Sequence, residues 1–121
     1  MKAFVTLSLI ATTLLSGCVA ANGNIGPLSY DQGGSLHCSR DGETRACGYR
    51  VVHHRDQHSD EIWISNSRHG QMFYRVLHAQ RGHFRSEDGA SVQARHAGDD
   101  WMIDINDGEE TYRLPRQDLL P

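Results

Sequence analysis

Lysine is almost absent from this 121-residue chain, which has one lysine, Lys2, among twelve basic residues. The chain also has no cluster of positively charged residues. Beyond residue 17, 11 arginines alternate along the chain with 15 acidic residues, for a formal charge of −4. Nucleic acids and anionic membrane surfaces both select clustered positive charge. The charge pattern therefore argues against nucleic acid or an anionic membrane surface as a partner.

Short enzyme signatures are also missing from the sequence. It contains no Gly-x-Ser-x-Gly elbow, no phosphate-binding glycine loop, no His-Glu-x-x-His and no free cysteine paired with a base. The carboxylate pairs Asp99-Asp100 and Glu109-Glu110 fall in predicted turns, where a solvated surface is the simplest interpretation. We therefore predict a binding or envelope accessory module and not an enzyme.

No hydrophobic run is long enough to cross a membrane, which takes about 20 helical residues. The uncharged stretch from Ala3 to Leu15 has 13 residues and follows the positive charge of Lys2. An export signal typically has a positively charged start, a short apolar run and small residues before its cleavage site. The residues at that place, Leu15-Ser16-Gly17-Cys18, resemble the lipobox of bacterial lipoproteins. The alternative is an ordinary secretory signal that ends near a cysteine.

The lipobox resemblance implies that residues 1–17 are a signal peptide, removed after Gly17. It also implies that Cys18 carries diacylglycerol on its thiol and an acyl chain on its new amino group. In lipoprotein families an Asp after this cysteine tends to retain the product at the inner membrane, and here that residue is Val19. We expect a lipid anchor on the periplasmic side of a Gram-negative outer membrane.

The remaining chain divides into a tether and one domain. Residues 18–33 are small, polar and glycine-rich, which favours a flexible tether, and residues 34–121 are enough for a single small domain. In that domain, turn signals separate short runs of two-residue alternation, as in an antiparallel sheet with one solvated face. We predict an all-β fold, a small antiparallel barrel or sandwich. The eight predicted strands span 34–38, 47–53, 61–65, 71–78, 83–86, 90–96, 101–105 and 110–114.

One segment, residues 68–81, fits two interpretations. Its apolar residues also fall at helical spacing, with Gly82 as a stop, and a helix here would make the domain α+β. Phe73, Tyr74 and Val76 are better strand formers than helix formers, and Gly70 would weaken a helix. We predict a strand.

Two cysteines remain once Cys18 is assigned to the lipid. Cys38 and Cys47 flank an Asp41-Gly42 turn signal, which predicts a hairpin closed by a disulfide in an oxidising periplasm. The alternative, a redox role, fits poorly because catalytic pairs are typically Cys-x-x-Cys.

The histidine content is high, with eight in the chain. If the strands form an up-and-down meander, His53, His78 and His96 end the second, fourth and sixth strands at one rim. Inward-pointing imidazoles there would suit Zn, Cu or Ni. The alternative is that these histidines are satisfied polar groups at a barrel mouth, without metal.

Trp63 is a candidate partner contact. It lies between Ile62 and Ile64, so the pleat turns either the tryptophan or both isoleucines away from the core. An outward Trp63 would suit an unknown envelope protein or glycan partner. The alternative is that both faces of the strand are covered.

A second resemblance concerns architecture alone. Small β-rich lipoproteins of this plan are similar to the membrane-bound inhibitors of c-type lysozyme, which implies hydrolase inhibition as an alternative function. The Ser-Gly-x-x-Tyr pattern of their inhibitory loop is missing, and the nearest stretch runs from Ser86 to Ser91.

Overall fold

The computed structural model describes residues 26–68 and 70–121. Eight strands make up most of this part, with two short 3₁₀ turns at Arg55–Gln57 and Arg116–Asp118. The strands are β1 (Gln32–Arg40), β2 (Glu43–His54), β3 (Ser59–Arg68), β4 (Gln71–Gln80), β5 (His83–Ser86), β6 (Val92–Ala97), β7 (Asp100–Ile105) and β8 (Glu110–Pro115). Within these ranges, no helix has the length and apolar character needed to span a membrane.

All strands belong to one antiparallel sheet in the order β5-β4-β3-β2-β1-β8-β7-β6. Chain neighbours pair with each other, and β1 pairs with β8 from His37↔Arg113 to Arg40↔Glu110. The described strands show no ladder between β5 and β6, so a seam remains there. Phe84 packs edge-on against Trp101 across this seam, with ring centroids 5.1 Å apart. The sheet is therefore a nearly closed barrel, and the predicted small all-β barrel is confirmed.

The eight predicted strands are all present, and most extend beyond their predicted bounds. The segment 71–80 is strand β4 and not a helix, because every one of its residues pairs with β3. Alternate side chains of the barrel fill one core. Its fully buried apolar members are Val51, Ile62, Ile64, Leu77, Ile103, Ile105, Tyr112 and Leu114.

The β1–β2 hairpin turns at Asp41-Gly42, where both residues have positive φ, 51° and 84°. The predicted Cys38–Cys47 disulfide is present inside the barrel, with the two Cα atoms 6.0 Å apart. The bridge is diagonal, since Cys38 lies opposite Arg45 in the ladder and Cys47 lies opposite Leu36. It fixes the register of two neighbouring strands from within the core.

Residues 26–31 lie against the outer face of the sheet. Gly26 packs against the Trp63 ring, and the Pro27 carbonyl accepts a hydrogen bond of 2.8 Å from Arg50 Nη1. Tyr30 stacks on the same guanidinium at 4.5 Å, and Asp31 bonds to β2. The predicted flexible tether, 18–33, is therefore wrong over its last residues. Pro27, Tyr30 and Asp31 contact the barrel, and Gln32 already belongs to β1.

Candidate functional site

The barrel has a cavity at each end, and we call the end with the larger cavity the open mouth. The open mouth is a cavity of about 850 Å³ at the end that carries the β2–β3, β4–β5 and β6–β7 turns. Part of this end is crossed by residues 116–121, which follow β8. The residues that matter most for its chemistry are Asp60, Arg81, Phe84, His96, Asp99 and Trp101. A cleft of this volume is in the usual range for small-ligand sites, about 300–1,000 Å³.

Aromatic rings form the wall of the open mouth next to the seam. Trp101 points inward from β7 because it alternates with Met102 and shares a face with the buried Ile103. The His96 ring packs on the Trp101 ring at 4.2 Å, and Phe84 meets it from the other side of the seam. Trp101 is only partly buried, so its indole presents an apolar surface to the cavity.

A buried carboxylate forms the floor of the open mouth. Asp60 is 3 % exposed, and its Oδ1 lies 2.5 Å from His53 Nδ1. Its other oxygen accepts a hydrogen bond of 2.9 Å from the Leu120 backbone N–H. Nearby, the Tyr49 hydroxyl donates to Asp118, and burial and this carboxylate raise the pKa of Tyr49. These bonds tie the segment after β8 across the barrel end.

Charged side chains of both signs stand at the edge of the open mouth. Asp99 and Arg81 are exposed in their turns, and Arg116 Nη1 donates to the Gly98 carbonyl. Asp100 is engaged from outside by Arg113, whose Nε lies 2.7 Å from Oδ2. The edge thus offers both hydrogen-bond acceptors and donors without a strong net charge.

The structure separates the three predicted metal ligands. All three end their strands at the rim of the open mouth, and His53 and His96 lie on the inner face. His78 lies on the outer face, because its neighbours Leu77 and Ala79 are the buried residues of β4. The predicted metal site is therefore wrong in its geometry. In the described ranges, no group of three or more His, Cys, Asp or Glu side chains could hold a metal ion.

The outer-face histidines pair with carboxylates instead. His78 Nε2 lies 3.0 Å from Glu87, and His54 Nε2 lies 3.2 Å from Glu61. Glu61 also accepts the Trp63 indole N–H, and this bond, with smaller effects of His54 and His78, holds the pKa of Glu61 below its ordinary value. These are pairwise polar contacts on the sheet surface.

Trp63 lies on the outer face, since Ile62 and Ile64 on either side of it are completely buried. It is half-covered by the chain itself. Gly26 packs on one side of the indole, and the Tyr74 ring meets it edge-on at 5.9 Å. Trp63 thus joins the first described residues to the barrel surface.

The other end of the barrel carries a charged cluster beside a smaller cavity of about 430 Å³, and the sequence analysis did not predict this cluster. We call it the charged end, defined by Arg40, Arg75 and Glu110. Glu110 is 1 % exposed, and its two oxygens lie 3.0 Å from Arg75 Nε and 2.6 Å from Arg75 Nη2. Arg40 Nη1 lies 3.2 Å from the same carboxylate, and its guanidinium stacks on Phe73. Burial opposes the charge on Glu110. The Arg75 and Tyr112 hydrogen bonds and the Arg40 charge outweigh that cost, so its pKa is lowered.

The cluster extends across the barrel interior to Asn66 on β3 and to the loop between β5 and β6. Tyr112 donates to Glu110 at 2.5 Å and accepts a 2.9 Å bond from Asn66, while burial and the carboxylate raise its pKa. Arg75 Nη1 also reaches Asp88 at 2.8 Å, in the loop between β5 and β6. Hydrogen bonds from Ser86 Oγ, from the Ala90 backbone N–H and from Arg75 lower the pKa of Asp88 to about 2.

One sequence signal could have found this cluster. Arg75 occupies a core position in the run Phe73-x-Arg75-x-Leu77-x-Ala79, and Glu110 shares the phase of Tyr112 and Leu114. A buried arginine and a buried glutamate, on two strands that approach the same end, suggest an ion pair. The same kind of signal marks Asp60, which shares the phase of the buried Ile62 and Ile64 on β3.

Comparisons with known proteins yield no match: no family model, no curated protein and no solved structure is similar to this chain. The predicted signal peptide and the lipidated Cys18 lie outside the described residues.

Proposed function

We propose that this protein is a lipid-anchored envelope lipoprotein whose barrel binds a saccharide at the open mouth. The observation that carries the proposal is the pairing, in one cleft of about 850 Å³, of an aromatic wall and a mixed polar edge. Trp101 and His96 supply the wall, and Asp99 and Arg81 supply acceptors and donors.

A hydroxyl-rich ring fits this arrangement better than a charged or wholly apolar ligand. Its C–H faces can lie on the partly exposed Trp101 indole, which supplies a large rigid apolar surface. Its hydroxyl groups both donate and accept, so they can use Asp99 and Arg81 together. An anionic ligand would meet the carboxylates of Asp60 and Asp99, and a wholly apolar one would desolvate Asp99 and Arg81 without giving them hydrogen-bond partners.

Titration of the full-length protein in detergent with soluble chitotriose and maltotriose tests the saccharide proposal. Trp63→Phe leaves Trp101 as the only tryptophan, so its fluorescence reports on the mouth alone. We expect a saturable change with at least one sugar. Isothermal titration calorimetry, which needs no fluorophore, then compares the wild-type protein with Trp101→Ala, and the affinity should fall by about tenfold or more, as for a central aromatic contact. An unchanged spectrum with both sugars, or full affinity in Trp101→Ala, would contradict the proposal.

The anchor is tested separately. Lipid on Cys18 should place the protein in the membrane fraction with the mass of a triacylated chain that starts at this cysteine. Cys18→Ala should remove both properties, and Cys38→Ala/Cys47→Ala should keep them. A Cys18→Ala protein that stays membrane-bound at its normal mass would show that the anchor assignment is wrong. Hydrolase inhibition is distinguished by adding the protein to a lysozyme turbidity assay.

A further inference from the structure

Large exposed hydrophobic side chains are concentrated on one side of the barrel. Among the described residues they are Leu28 (83 %), Tyr30 (45 %), Met72 (70 %) and Tyr74 (44 %). We call these four residues the apolar patch. Single exposed hydrophobic residues are ordinary on protein surfaces, but several together mark an interaction site.

Contacts on the outer face link Tyr74 and Tyr30, and the positions of Leu28 and Met72 in the chain place them beside these two residues. Tyr74 meets the Trp63 ring, and Gly26 lies on the same ring, two residues before Leu28. Tyr30 stacks on Arg50, which lies opposite Trp63 in the ladder. Met72 precedes Tyr74 by two residues on β4, so both point away from the core.

The chain leaves the described barrel on this same face. Eight peptide units join Cys18 to Gly26, and a fully extended chain of that length spans at most about 29 Å. That is no more than the diameter of a small domain, about 30 Å. Because Gly26 is held against Trp63, a lipid on Cys18 keeps the apolar patch close to the bilayer.

We propose that the apolar patch is a membrane-contact face that lies on the lipid surface and orients the barrel on its anchor. Tyrosine and tryptophan rings favour the membrane–water interface, and Met72 and Leu28 can enter the acyl boundary. The contact is apolar, since Arg50 is already covered by Tyr30 and bonded to Pro27. This inference rests on the proposed lipid anchor at Cys18.

The two tryptophans make the test direct, because Trp63 lies beside the patch and Trp101 lies in the open mouth. Full-length protein is reconstituted in phosphatidylcholine vesicles with brominated acyl chains, which quench nearby indoles. Trp101→Phe leaves only Trp63, and Trp63→Phe leaves only Trp101. We expect quenching of Trp63 to exceed that of Trp101 by about threefold or more, as for an indole at the interface.

A triple variant supplies the control. Leu28→Ser, Met72→Ser and Tyr74→Ser together, in the Trp101→Phe background, replace exposed side chains and should keep the unfolding midpoint within a few degrees. Quenching of Trp63 should then fall to the level of Trp101 while the protein still floats with the vesicles.

Each of the other outcomes contradicts one part of the proposal. Equal quenching of the two tryptophans in protein that floats with vesicles refutes the membrane-contact face and leaves the anchor intact. Failure to float refutes the anchor, and the inference falls with it. A dimer in detergent that the triple variant dissociates, with Trp63 unquenched in vesicles, would assign the patch to a second copy of the chain.

Discussion

The two ends of the barrel share one topology and differ in what fills them. At the charged end, Glu110 and Arg75 meet inside the sheet at 2.6 Å, beside a cavity of about 430 Å³. At the open mouth, the buried carboxylate of Asp60 is matched by His53 and a backbone N–H, and a cavity remains above it. The charged end therefore holds its ion pairs beside a smaller, charge-lined cavity, whereas the open mouth has about twice that volume and an aromatic wall.

The difference shows how a small barrel divides stability and binding between its ends. Ion pairs inside a low-dielectric core are costly to desolvate, and they are held only where each charge has several partners. Glu110 meets this condition through two arginines and Tyr112. At the open mouth Trp101 is only partly covered, so this end buries less apolar surface and contributes less to stability. We expect substitutions at the two ends to differ in size and in kind.

The largest effect is expected from Glu110→Gln at the charged end. It leaves the guanidinium groups of Arg40 and Arg75 buried beside a neutral amide, which typically costs about 3–5 kcal/mol. Urea unfolding followed by tryptophan fluorescence measures it. Glu109→Gln is the matched control, because Glu109 lies at the surface 3.5 Å from Arg40, and it should cost less than about 1 kcal/mol. Equal losses in the two variants would contradict the central role of Glu110.

The disulfide supports the charged end from the adjacent hairpin. Cys38→Ala/Cys47→Ala should lower the free energy of unfolding by about 2.5–3 kcal/mol, because a ten-residue loop is no longer closed in the unfolded chain. Reduction of the wild-type protein should lower it by a similar amount, and reductant should leave the double variant unchanged. A reductant effect on the double variant would assign the stabilisation to something other than this bridge.

At the open mouth, Asp60→Asn should have a smaller effect. The amide can keep one of the two bonds to His53 and Leu120, so we expect a loss of about 1–3 kcal/mol. Amide hydrogen exchange should rise first at Leu120 and then along the segment 116–121. Asp56→Asn, exposed in the turn after β2, should change stability by less than about 0.5 kcal/mol. Unchanged exchange at Leu120 would show that Asp60 does not hold this segment.

The smallest effect is a pH dependence at the charged end. The pKa of Asp88 is lowered to about 2 and that of Glu110 is also lowered, so both groups stabilise the fold above their unfolded pKa values. Stability should therefore fall as pH drops from about 5 toward 2, when these carboxylates take up protons. Asp88→Asn should make this acid loss shallower, whereas Asp107→Asn in the β7–β8 turn should leave its slope unchanged. Stability that rises toward pH 2 would contradict both shifts.

Much of the fold follows from alternation and turn chemistry. The Asp41-Gly42 hairpin, the inner face of β7 and the Cys38–Cys47 bridge could be predicted because local residue types determine them. The rim position of the three histidines could also be predicted, because a meander brings the ends of alternate strands to the same end of the barrel. The face of His53 was predicted correctly because Tyr49 and Val51 before it are plainly apolar.

The error at His78 has a specific physical cause. An inward-pointing His78 requires Met72, Tyr74 and Val76, which share its phase, to form the inner face of β4, and Arg75 would then lie outside. Arg75 is nevertheless inside, where Glu110 compensates it from a strand 35 residues away. Pairing over such a distance is not visible in local alternation, and a one-residue change of phase moves every side chain of a strand. The candidate site at the mouth escaped prediction for a related reason, because Trp101, Phe84 and Arg81 come together only when the sheet curls.

The pairing of β1 with β8 governs how quickly this chain can reach its final shape. All other described ladders join strands that are neighbours along the chain, and they can form early from local hairpins. β1 and β8 meet through four residue pairs, from His37↔Arg113 to Arg40↔Glu110, some 70 residues apart. Contacts of such sequence separation raise contact order and slow folding. We expect the rate-limiting step to be this closure, in which Glu110 first meets Arg40.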